Sequence, residues 1–389
     1  MRIAVFGGSF NPPHAGHLRA AESAVDCLRP DRLLIIPAGM PPHKELAEHS
    51  PEPARRMELC RAAFSQIPCA RVSDVELRKN RVSYTVDTLR FLRNEYPDAE
   101  FFLLMGTDML ECFEGWRSAA DIAGMCSLAA FCRADGEEER VRAAGDNLQK
   151  AIGAKVISVP NAPLEVSSTE IRRSLARREK PSALSDDVYA LIIQHRYYGA
   201  KPNLEWLRAE SYACIKPKRV PHVQGTEEVA VRLAARWGAD AQDAAEAAIL
   251  HDITKRLDAN EQLRMCAEYG IINDNSEIEN PKLLHAKTGA AYARKRFGVT
   301  DAVYDAIRWH TTGRAGMSLL EKIVYLADYI EPHRDFEGVE LLRTLACTDL
   351  DEAMRAGLRR SLEFVRAEGT EPHRNSVEAL QALEQKKTE

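Results

Sequence analysis

Short, uninterrupted apolar runs alternate with amphipathic stretches in the first half of the chain. The stretches between the runs, such as ARRMELCRAAF and YTVDTLRFLRNEY, repeat their apolar residues at helical spacing. The predicted strands are residues 3–6, 32–38, 101–106, 127–132 and 155–160. Because a strand that is buried on both faces reads as a continuous apolar run, this pattern predicts an α/β domain built on a doubly wound parallel sheet.

From about residue 203 onward, only helical spacing remains. Gly238, Gly298 and Gly369 follow three of the periodic segments, at the position where glycine commonly ends a helix. The predicted helical segments are residues 227–238, 241–257, 286–298, 301–310, 318–330 and 349–369. The period changes around residues 197–203, where Gly199 and Pro202 interrupt regular structure. The sequence therefore predicts a domain over residues 1–200 and an all-α domain over residues 201–389.

The bulk composition excludes several classes of protein. A chain of 389 residues exceeds one typical core, and a formal charge of −5 gives no basic footprint for a nucleic-acid partner. Nine cysteines without any C-x-x-C spacing suit the reduced thiols of a cytoplasm better than a disulfide framework. The N-terminus runs directly into a strand, and no apolar run approaches membrane-spanning length. A cytoplasmic protein without a membrane partner is expected, and homo-oligomerisation is left open.

The segment GGSFNPPHAGH (7–17) joins the first predicted strand to a helix predicted over residues 18–28. Its glycines allow close backbone approach to a ligand, and the N–H groups at a helix start favour anions. His14 and His17 share one face of the first turn, where imidazoles can hydrogen-bond phosphate oxygens. The segment predicts a site for nucleotide phosphates, and a tight turn with two surface histidines is the alternative. The residues assigned to contact the nucleotide are Gly7, Gly8, Ser9 and Phe10.

Further polar residues follow predicted strands, at the edge where open α/β folds bind ligands. PAGMPPHK follows the second predicted strand and carries Lys44, a cation for a phosphate. GTDML follows the third predicted strand, so that Gly106 and Asp108 are expected at the same edge. Trp116 comes shortly afterwards and either stacks on an aromatic ring of the substrate or belongs to the core.

Two more segments begin predicted helices. SYTVDTL offers Ser83 or Thr85 as a helix cap with free donors beside it. EVSSTEIRRSL places hydroxyl groups, among them those of Ser168 and Thr169, at a helix N-terminus, with Arg172 one turn inside. The second of these segments predicts another anion site, because a guanidinium can hold phosphate there.

In their order along the chain, these motifs resemble those of the bacterial nicotinate-nucleotide adenylyltransferases, over residues 1–199. The resemblance implies attack by the phosphate of nicotinate mononucleotide on the α-phosphorus of ATP, with release of pyrophosphate and without a protein nucleophile. Four residues would neutralise the developing charge, with Mg²⁺ held mainly by ATP. These residues are His14, His17, Lys44 and Arg172. Ser9 and Asn11 stand where the family often has Thr and Asp.

The helical half contains a series of metal-ligand residue types. HDITK (251–255) lies inside a segment predicted as a strongly apolar helix, where buried polar groups need partners. Imidazoles combined with carboxylates suit Fe, Mn or Zn, and two such ions need about six protein ligands. The candidate ligands are His222, His251, Asp252, His285, His310 and Asp328. For any one of these histidines, an ordinary core or surface role is the alternative.

Residues 212–366 resemble the HD-domain phosphohydrolases, and most closely the YqeK-type enzymes that cleave diadenosine tetraphosphate symmetrically. The similarity lies in RVPHVQGTEEVA, LHDITK, LLHAKTGA and the run from HTTGR to EPHR, with His333 where glycine is frequent. It implies that the six candidate ligands bind two metals, iron before Mn or Zn, and that water attacks an inner phosphorus to give two ADP. The residues implied to contact the polyphosphate are Lys255, Thr311, Arg314 and Arg334.

The sequence thus predicts a bifunctional enzyme, an adenylyltransferase joined to a dinucleoside-polyphosphate hydrolase. One alternative keeps both folds but changes the substrates, to nicotinamide mononucleotide in the first half and a guanosine alarmone or another nucleotide in the second. Another alternative makes the second half a sensor that binds a nucleotide without cleaving it. The intact His251–Asp252 pair argues against a sensor.

Overall fold

The computed structural model describes residues 1–39, 49–78, 83–272, 277–278 and 280–388, with the side chains of 387 and 388 left aside. Lys44 therefore lies outside the described residues. The chain forms two compact units. The first unit comprises Met1–Ile192 and Arg196–Lys201, and the second comprises Ile193–His195 and the residues from Pro202 onward.

A six-stranded parallel sheet forms the centre of the first unit. Its strands are β1 (Arg2–Gly8), β2 (Arg32–Pro37), β3 (Ala70–Val72), β4 (Glu100–Gly106), β5 (Ser127–Phe131) and β6 (Val156–Val159). They lie in the order β3-β2-β1-β4-β5-β6, and each neighbouring pair is parallel. The doubly wound sheet is thus confirmed. β3 was not predicted, because it has three residues and none of them is fully buried, and the strand before GTDML is therefore the fourth.

The helices of the first unit cover both faces of this sheet. They are α1 (Ala15–Leu28), α2 (Pro53–Ala63), α3 (Thr85–Glu95), α4 (Thr107–Glu111), α5 (Ala119–Met125), α6 (Glu138–Ile152), α7 (Ser168–Ala176) and α8 (Asp186–Gln194). Along β4, Leu103 packs with residues of α3, α5 and α6, whereas Phe102 and Leu104 pack with residues of α1. Since successive side chains of a strand point to opposite faces, both faces of β4 require apolar residues, which explains its unbroken apolar run.

The strand order creates a crevice at the carboxyl ends of β1 and β4. These two strands are neighbours, but β1 leads to β2 on one side and β4 leads to β5 on the other. The loops that follow them therefore diverge, which is the arrangement that binds ligands in open α/β sheets. The histidine-containing segment after β1 and the GTD segment after β4 flank this crevice.

The second unit is all-α in its described residues. Its helices are α9 (Leu204–Cys214), α10 (Val220–Trp237), α11 (Ala241–Leu250), α12 (Ala259–Glu268), α13 (Leu284–Phe297), α14 (Asp301–Trp309), α15 (Leu319–Ile330), α16 (Val339–Thr348), α17 (Leu350–Ala367) and α18 (Arg374–Thr388). Gly238 and Gly298 end α10 and α13 in the left-handed conformation, as predicted. Small buried residues on α11 such as Ala245 and Ala248 leave room for neighbouring helices. Among the described residues, no helix has both the length and the apolar character to cross a bilayer.

Two local predictions were wrong. The helix predicted over residues 241–257 ends at Leu250, and residues 251–256 form successive turns, where the Thr254 carbonyl accepts a hydrogen bond from Gln262 at 2.8 Å. The backbone thus leaves the helix without losing hydrogen bonds, so the HD pair lies beyond the helix end. Neither Ser83 nor Thr85 caps α3, because Thr85 is already helical and the Ser83 hydroxyl donates to the Glu76 carbonyl at 3.4 Å.

Candidate active sites

His14 and His17 lie side by side at the start of α1. The helix begins three residues earlier than predicted, so that His14 is its N-cap in an extended conformation and His17 lies in the first turn. The two ring centroids are 3.8 Å apart, and the backbone N–H of His14 donates to Nδ1 of His17 at 3.3 Å. Because Nδ1 accepts this bond, a neutral His17 carries its proton on Nε2. Such a ring can donate a hydrogen bond to an anion.

The ring of His14 is neutral before any anion binds. Its Nδ1 is buried without a hydrogen-bond partner among the described residues. Burial first, and then the positive charge of Arg133, lower the pKa of His14 to about 4. An unsatisfied buried ring nitrogen at a helix start is the kind of group that a ligand completes.

The ring of Phe10 packs against neighbouring aromatic rings and so supports the loop after β1. Its side chain is fully buried, with its ring 5.4 Å from that of Phe6 and 5.0 Å from that of His17. Phe10 holds a φ of 42°, an uncommon left-handed conformation for a residue with a side chain. A Cβ on Gly8 would meet its ring at 3.2 Å, whereas one on Gly7 would meet nothing within 4 Å. The open space for a ligand is therefore at Gly7, and Phe10 can offer a nucleotide only its backbone.

Asn11 is the anchor of the same loop. Its amide donates to the Ser50 hydroxyl at 2.8 Å and accepts from the Tyr198 hydroxyl at 2.7 Å. Tyr198 lies in the segment 197–203 that the sequence indicated only as a boundary. The hydrogen bond makes this segment part of the support of the loop, a role that no local pattern announces.

The start of α7 meets the same loop. Arg172 donates to the Asn11 carbonyl at 2.7 Å and to the Thr169 hydroxyl at 3.1 Å. The Ser168 hydroxyl donates to the Pro12 carbonyl at 3.1 Å. The two segments predicted to bind anions, which are far apart in the sequence, are thus adjacent in the structure. Ser167 caps α7 by accepting from the Glu170 backbone at 3.2 Å.

Arg133 completes the polar residues at this edge and was missed by the sequence analysis. It is the second residue after β5, and its Nε lies 2.9 Å from Oδ1 of Asp108, with both side chains more than half exposed. A Cβ on Gly106 would overlap the Arg133 side chain, so a larger residue there would displace this guanidinium. The exposed Asp108–Arg133 pair can exchange partners at little cost when a ligand arrives.

Trp116 and Thr85 lie on the β4 side of the unit. The Trp116 ring is half-buried and 5.2 Å from that of Phe113, so that it packs against the core, as the alternative interpretation required. Thr85 is the first residue of α3. The guanidinium of Arg117 lies 4.5 Å from the ring centroid of Tyr84, the N-cap of that helix. This places a cation near Thr85 that the sequence did not reveal.

The six candidate ligands of the second unit converge on one buried centre. Their elements are the first turn of α10 for His222, the turns after α11 for His251 and Asp252, the first turn of α13 for His285, the residue after α14 for His310, and α15 for Asp328. Nε2 of His222 lies 3.1 Å from Asp328 Oδ1 and 3.3 Å from Nε2 of His251. Two triads have the mutual distances that a metal ion needs, namely His222–His251–Asp328 and His251–Asp252–His310.

Backbone carbonyls determine which nitrogen of three histidines faces this centre. His251, His285 and His310 each direct Nδ1 at the carbonyl three residues earlier, at 2.5 to 2.7 Å. A carbonyl can only accept, so Nδ1 carries a proton, and in a neutral ring Nε2 presents its lone pair to the centre. This is the tautomer that a metal ligand requires.

Glu331 plays the corresponding part for His222. Its buried carboxylate lies 3.2 Å from Nδ1 of His222 and accepts hydrogen bonds from the backbone N–H and the ring of His333 at 2.7 and 3.0 Å. A Cβ on Gly225 would lie only 2.7 Å from Glu331 Oε2. His333, which stands where related enzymes often have glycine, therefore holds the carboxylate that orients a ligand. No role was predicted from the sequence for Glu331 or Gly225.

Asp252 connects the two halves of the centre. Its Oδ2 lies 3.5 Å from Nε2 of His251, and its Oδ1 lies 3.1 Å from Nε2 of His285. Although burial alone would raise it, the neighbouring histidines hold the pKa of Asp252 well below its usual value. Arg219 and Lys255 pair with this buried carboxylate, and the histidine Nε2 atoms beside it add nitrogen ligands to its oxygen. The donor set fits a divalent metal.

Basic side chains surround this centre. Lys255 Nζ lies 3.0 Å from Nε2 of His285, and Arg334 donates to Asp328 Oδ1 at 2.8 Å. Arg219, which the sequence analysis missed, donates to Asp252.

Arg314 and Thr311 have a different setting from the one expected. Arg314 donates through Nε and Nη2 to the buried carboxylate of Glu321, at 2.7 and 2.8 Å. Two of its donor groups are thus engaged within the protein. Thr311 directly follows His310 and is half-buried.

Two families match separate parts of the chain. A family described as cytidylyltransferase-like matches residues 5–174, and the HD domain family matches residues 219–333. A symmetrical bis(5′-nucleosyl)-tetraphosphatase of Halalkalibacterium halodurans is 44% identical over 163 residues, which cover 41% of this chain and 87% of the relative. A probable nicotinate-nucleotide adenylyltransferase of Exiguobacterium sibiricum is 37% identical over 177 residues, 46% of this chain and 87% of the relative. The chain belongs to both families.

Another relative has the same two-part arrangement. A probable nicotinate-nucleotide adenylyltransferase/Ap4A hydrolase of Mycoplasma pneumoniae is 26% identical over 368 residues, which cover 92% of this chain and 99% of the relative. The resemblances drawn from the two halves of the sequence are thus confirmed, and the HD family implies a divalent metal. The first unit is called the transferase unit below, and the second is called the HD unit.

Substitution of Gly225 by alanine should weaken metal binding. The added Cβ would push Glu331 away from His222, and loss of such an outer contact typically lowers metal affinity by roughly 10- to 100-fold. Metal content per chain after dialysis against a metal buffer measures the effect. Gly357→Ala on α17 is the matched control, because its Cβ would make only ordinary contacts from 3.8 Å outward. Equal metal content in both variants would contradict the role of Glu331.

His14 should titrate near pH 4 in the ligand-free protein, well below the ordinary histidine pKa of 6.5. Between these two values the unfolded chain binds the proton more readily than the folded one, so the contribution of His14 to the free energy of unfolding falls as the pH drops. NMR of the His14 ring against pH measures the midpoint, and His14→Gln should remove this part of the pH dependence. A midpoint near 6.5 would show that the ring is not desolvated.

Proposed function

We propose that this chain is a bifunctional enzyme of the cytoplasm. Its transferase unit, residues 1–200, transfers AMP from ATP to nicotinate mononucleotide, giving deamido-NAD and pyrophosphate. Its HD unit, residues 201–389, hydrolyses diadenosine tetraphosphate symmetrically to two ADP. The observation that carries the proposal is that a chain belonging to both families holds a separate polar centre in each unit.

The transferase centre would act by positioning two substrates and neutralising charge. The phosphate of the mononucleotide attacks the α-phosphorus of ATP, and pyrophosphate leaves with the electron pair of the broken bond. The side chains that would hold these phosphates are His14, His17, Lys44, Arg133 and Arg172, with Mg²⁺ carried by ATP. The N-terminus of α7, with Ser168 and Thr169, adds backbone donors near them. Losing one such charged contact would cost about 2–4 kcal/mol at the transition state.

The acid form of the mononucleotide is the proposed acceptor. Its ring carboxylate needs a positive group or backbone donors near the start of α3. Arg117, stacked on Tyr84, supplies a cation at that place, and among the described residues it forms no ion pair. A neutral amide would gain less from this charge. Comparable kcat/KM for the two mononucleotides would favour a general pyridine-nucleotide adenylyltransferase.

The HD centre would hold two divalent metals, iron in our proposal, with manganese or zinc as alternatives. When bound, such ions activate water and neutralise phosphate charge. The triads His222–His251–Asp328 and His251–Asp252–His310, together with His285, supply the six residues that would hold the two ions. Lys255, Arg219 and Arg334 surround the ligands and would bind the polyphosphate. The complete ligand set favours an enzyme over a nucleotide sensor.

Substitution of His17 by alanine should lower dinucleotide synthesis by about 10²- to 10³-fold, because a donor to the phosphates is lost. The rate is measured as formation of deamido-NAD from ATP and nicotinate mononucleotide. Hydrolysis of diadenosine tetraphosphate by the same protein is the internal control and should stay within twofold of the wild-type rate, a margin of roughly 0.4 kcal/mol. Loss of both activities in a folded His17→Ala protein would show that the units are not independent.

Substitution of His251 or Asp252 by alanine should remove metal and hydrolysis together. The remaining buried ligands would lose their partners, so the free energy of unfolding of the HD unit should also fall. Metal analysis, thermal unfolding and chromatography of the products measure the three effects, with dinucleotide synthesis as the control. The wild-type product should be ADP alone. Equal amounts of ATP and AMP would place the attack at an outer phosphorus, and a metal-free protein that hydrolyses nothing would favour the sensor.

A further inference from the structure

Arg56 on α2 is the largest fully buried side chain among the described residues, with 0% of its surface exposed. Its Nη1 donates to the Ser9 carbonyl at 2.9 Å. Its Nη2 donates to the carbonyls of Ala38 and Gly39 at 2.6 and 3.2 Å. One guanidinium thus joins two stretches of backbone that lie 29 residues or more apart in the sequence.

These hydrogen bonds do not balance the charge of the guanidinium. Within the described part of the chain, Arg56 forms no ion pair, and its Nε is buried without a hydrogen-bond partner. An arginine stays protonated in a protein, and burying its charge without a direct ion pair is costly, although Glu52 and Glu76 act on it from further away. An apolar side chain would fill the same space at a lower cost. A role beyond packing would account for an arginine at this position.

The two stretches that Arg56 joins both lie at the substrate edge of the sheet. Ser9 follows β1 and belongs to the loop that carries His14 and His17. Ala38 and Gly39 directly follow β2, the strand that pairs with β1. The distance between these loops determines how the groups on each loop are positioned relative to a bound phosphate. Reaction rates are sensitive to errors of about 1 Å in such positions.

Gly39, at the start of the loop after β2, is also confined on the side away from Arg56. A Cβ on Gly39 would lie only 2.9 Å from the Glu76 carbonyl oxygen, so that Gly39 is held between Glu76 and Arg56. The Ala38 N–H donates to the Gly8 carbonyl at 2.9 Å. The carbonyls that Arg56 binds therefore have little freedom to shift.

We propose that Arg56 is a positioning residue for adenylyl transfer. It fixes the separation of the loops after β1 and β2, and its unpaired charge makes the potential behind the phosphate site positive. This inference rests on the proposed transfer reaction. Both effects favour the anionic substrates. Any substitution of Arg56 removes the hydrogen bonds to both loops, whereas only a substitution by a neutral residue removes the positive charge.

Arg56→Lys and Arg56→Met separate the two effects. Both variants should lower kcat for deamido-NAD formation by on the order of 30-fold, because neither side chain can bind both loops. KM for ATP should rise about tenfold in Arg56→Met and stay near the wild-type value in Arg56→Lys, which keeps the charge. Arg61→Met, an exposed arginine on the same helix, is the matched control and should have wild-type kinetics. Thermal unfolding verifies that each variant is folded.

Wild-type kcat in folded Arg56→Lys and Arg56→Met would overturn the inference, whatever happens to their melting temperatures. Gly39→Ala tests it from the carbonyl side if the arginine variants do not fold, since it displaces the acceptors and keeps the guanidinium. We expect roughly a tenfold lower kcat for it. Gly124→Ala is its control, because a Cβ there meets nothing within 4 Å, and equal kcat in the two would also overturn the inference. Failure of the proposed function is distinct, since the unsubstituted chain would then form no dinucleotide.

Discussion

Hydrogen bonds from Nδ1 of three buried histidines to backbone carbonyls determine what the HD unit can hold. Each bond leaves a lone pair on Nε2 pointing inward, and the Nε2 atoms of His285 and His310 lie only 3.2 Å apart. Two lone pairs at that distance repel each other unless a proton or a cation lies near both. Because burial lowers the pKa of His285 to about 4, protonation of this ring is unfavourable at neutral pH. Lys255, whose Nζ lies 3.0 Å from Nε2 of His285, supplies one cation, and a divalent metal would supply further positive charge and add to the stability of the HD unit.

The transferase unit distributes its polar groups in the opposite way. In the HD centre, backbone carbonyls orient the functional side chains. In the transferase unit, side chains hold the backbone of the loop after β1 in place. Arg56, Arg172 and Tyr198 donate to carbonyl or amide oxygens of Ser9 and Asn11. Phosphate recognition by loop N–H groups requires such support, because a flexible loop would lose entropy on binding and give up affinity.

The sequence predicted what is set by local pattern and missed what is set by distant contacts. Strands buried on both faces, helix periods and the glycines that end α10 and α13 were all visible, whereas β3 has too little burial to form an apolar run. The HD ligand types were visible too, since few other roles explain them in that order. In the sequence, Arg56 cannot be told from a surface arginine of an amphipathic helix. Gly225 reads only as a residue that weakens a helix. Only the fold shows that a guanidinium spans two loops, or that a Cβ would displace Glu331.

The transferase centre and the HD centre would use opposite protonation states of a histidine Nε2 atom. In both centres, a backbone group beside Nδ1 sets that state. In His17, Nδ1 accepts from a backbone N–H, so a neutral ring has its proton on Nε2 and can donate to an anion. In His251, Nδ1 donates to a backbone carbonyl, so a neutral ring has its lone pair on Nε2 and can bind a cation. The choice between donor and acceptor is made by which backbone group lies beside Nδ1. A histidine in this chain therefore takes its chemistry from where it stands relative to a helix, beside free N–H groups at the start of α1 or beside free carbonyls at the end of α11.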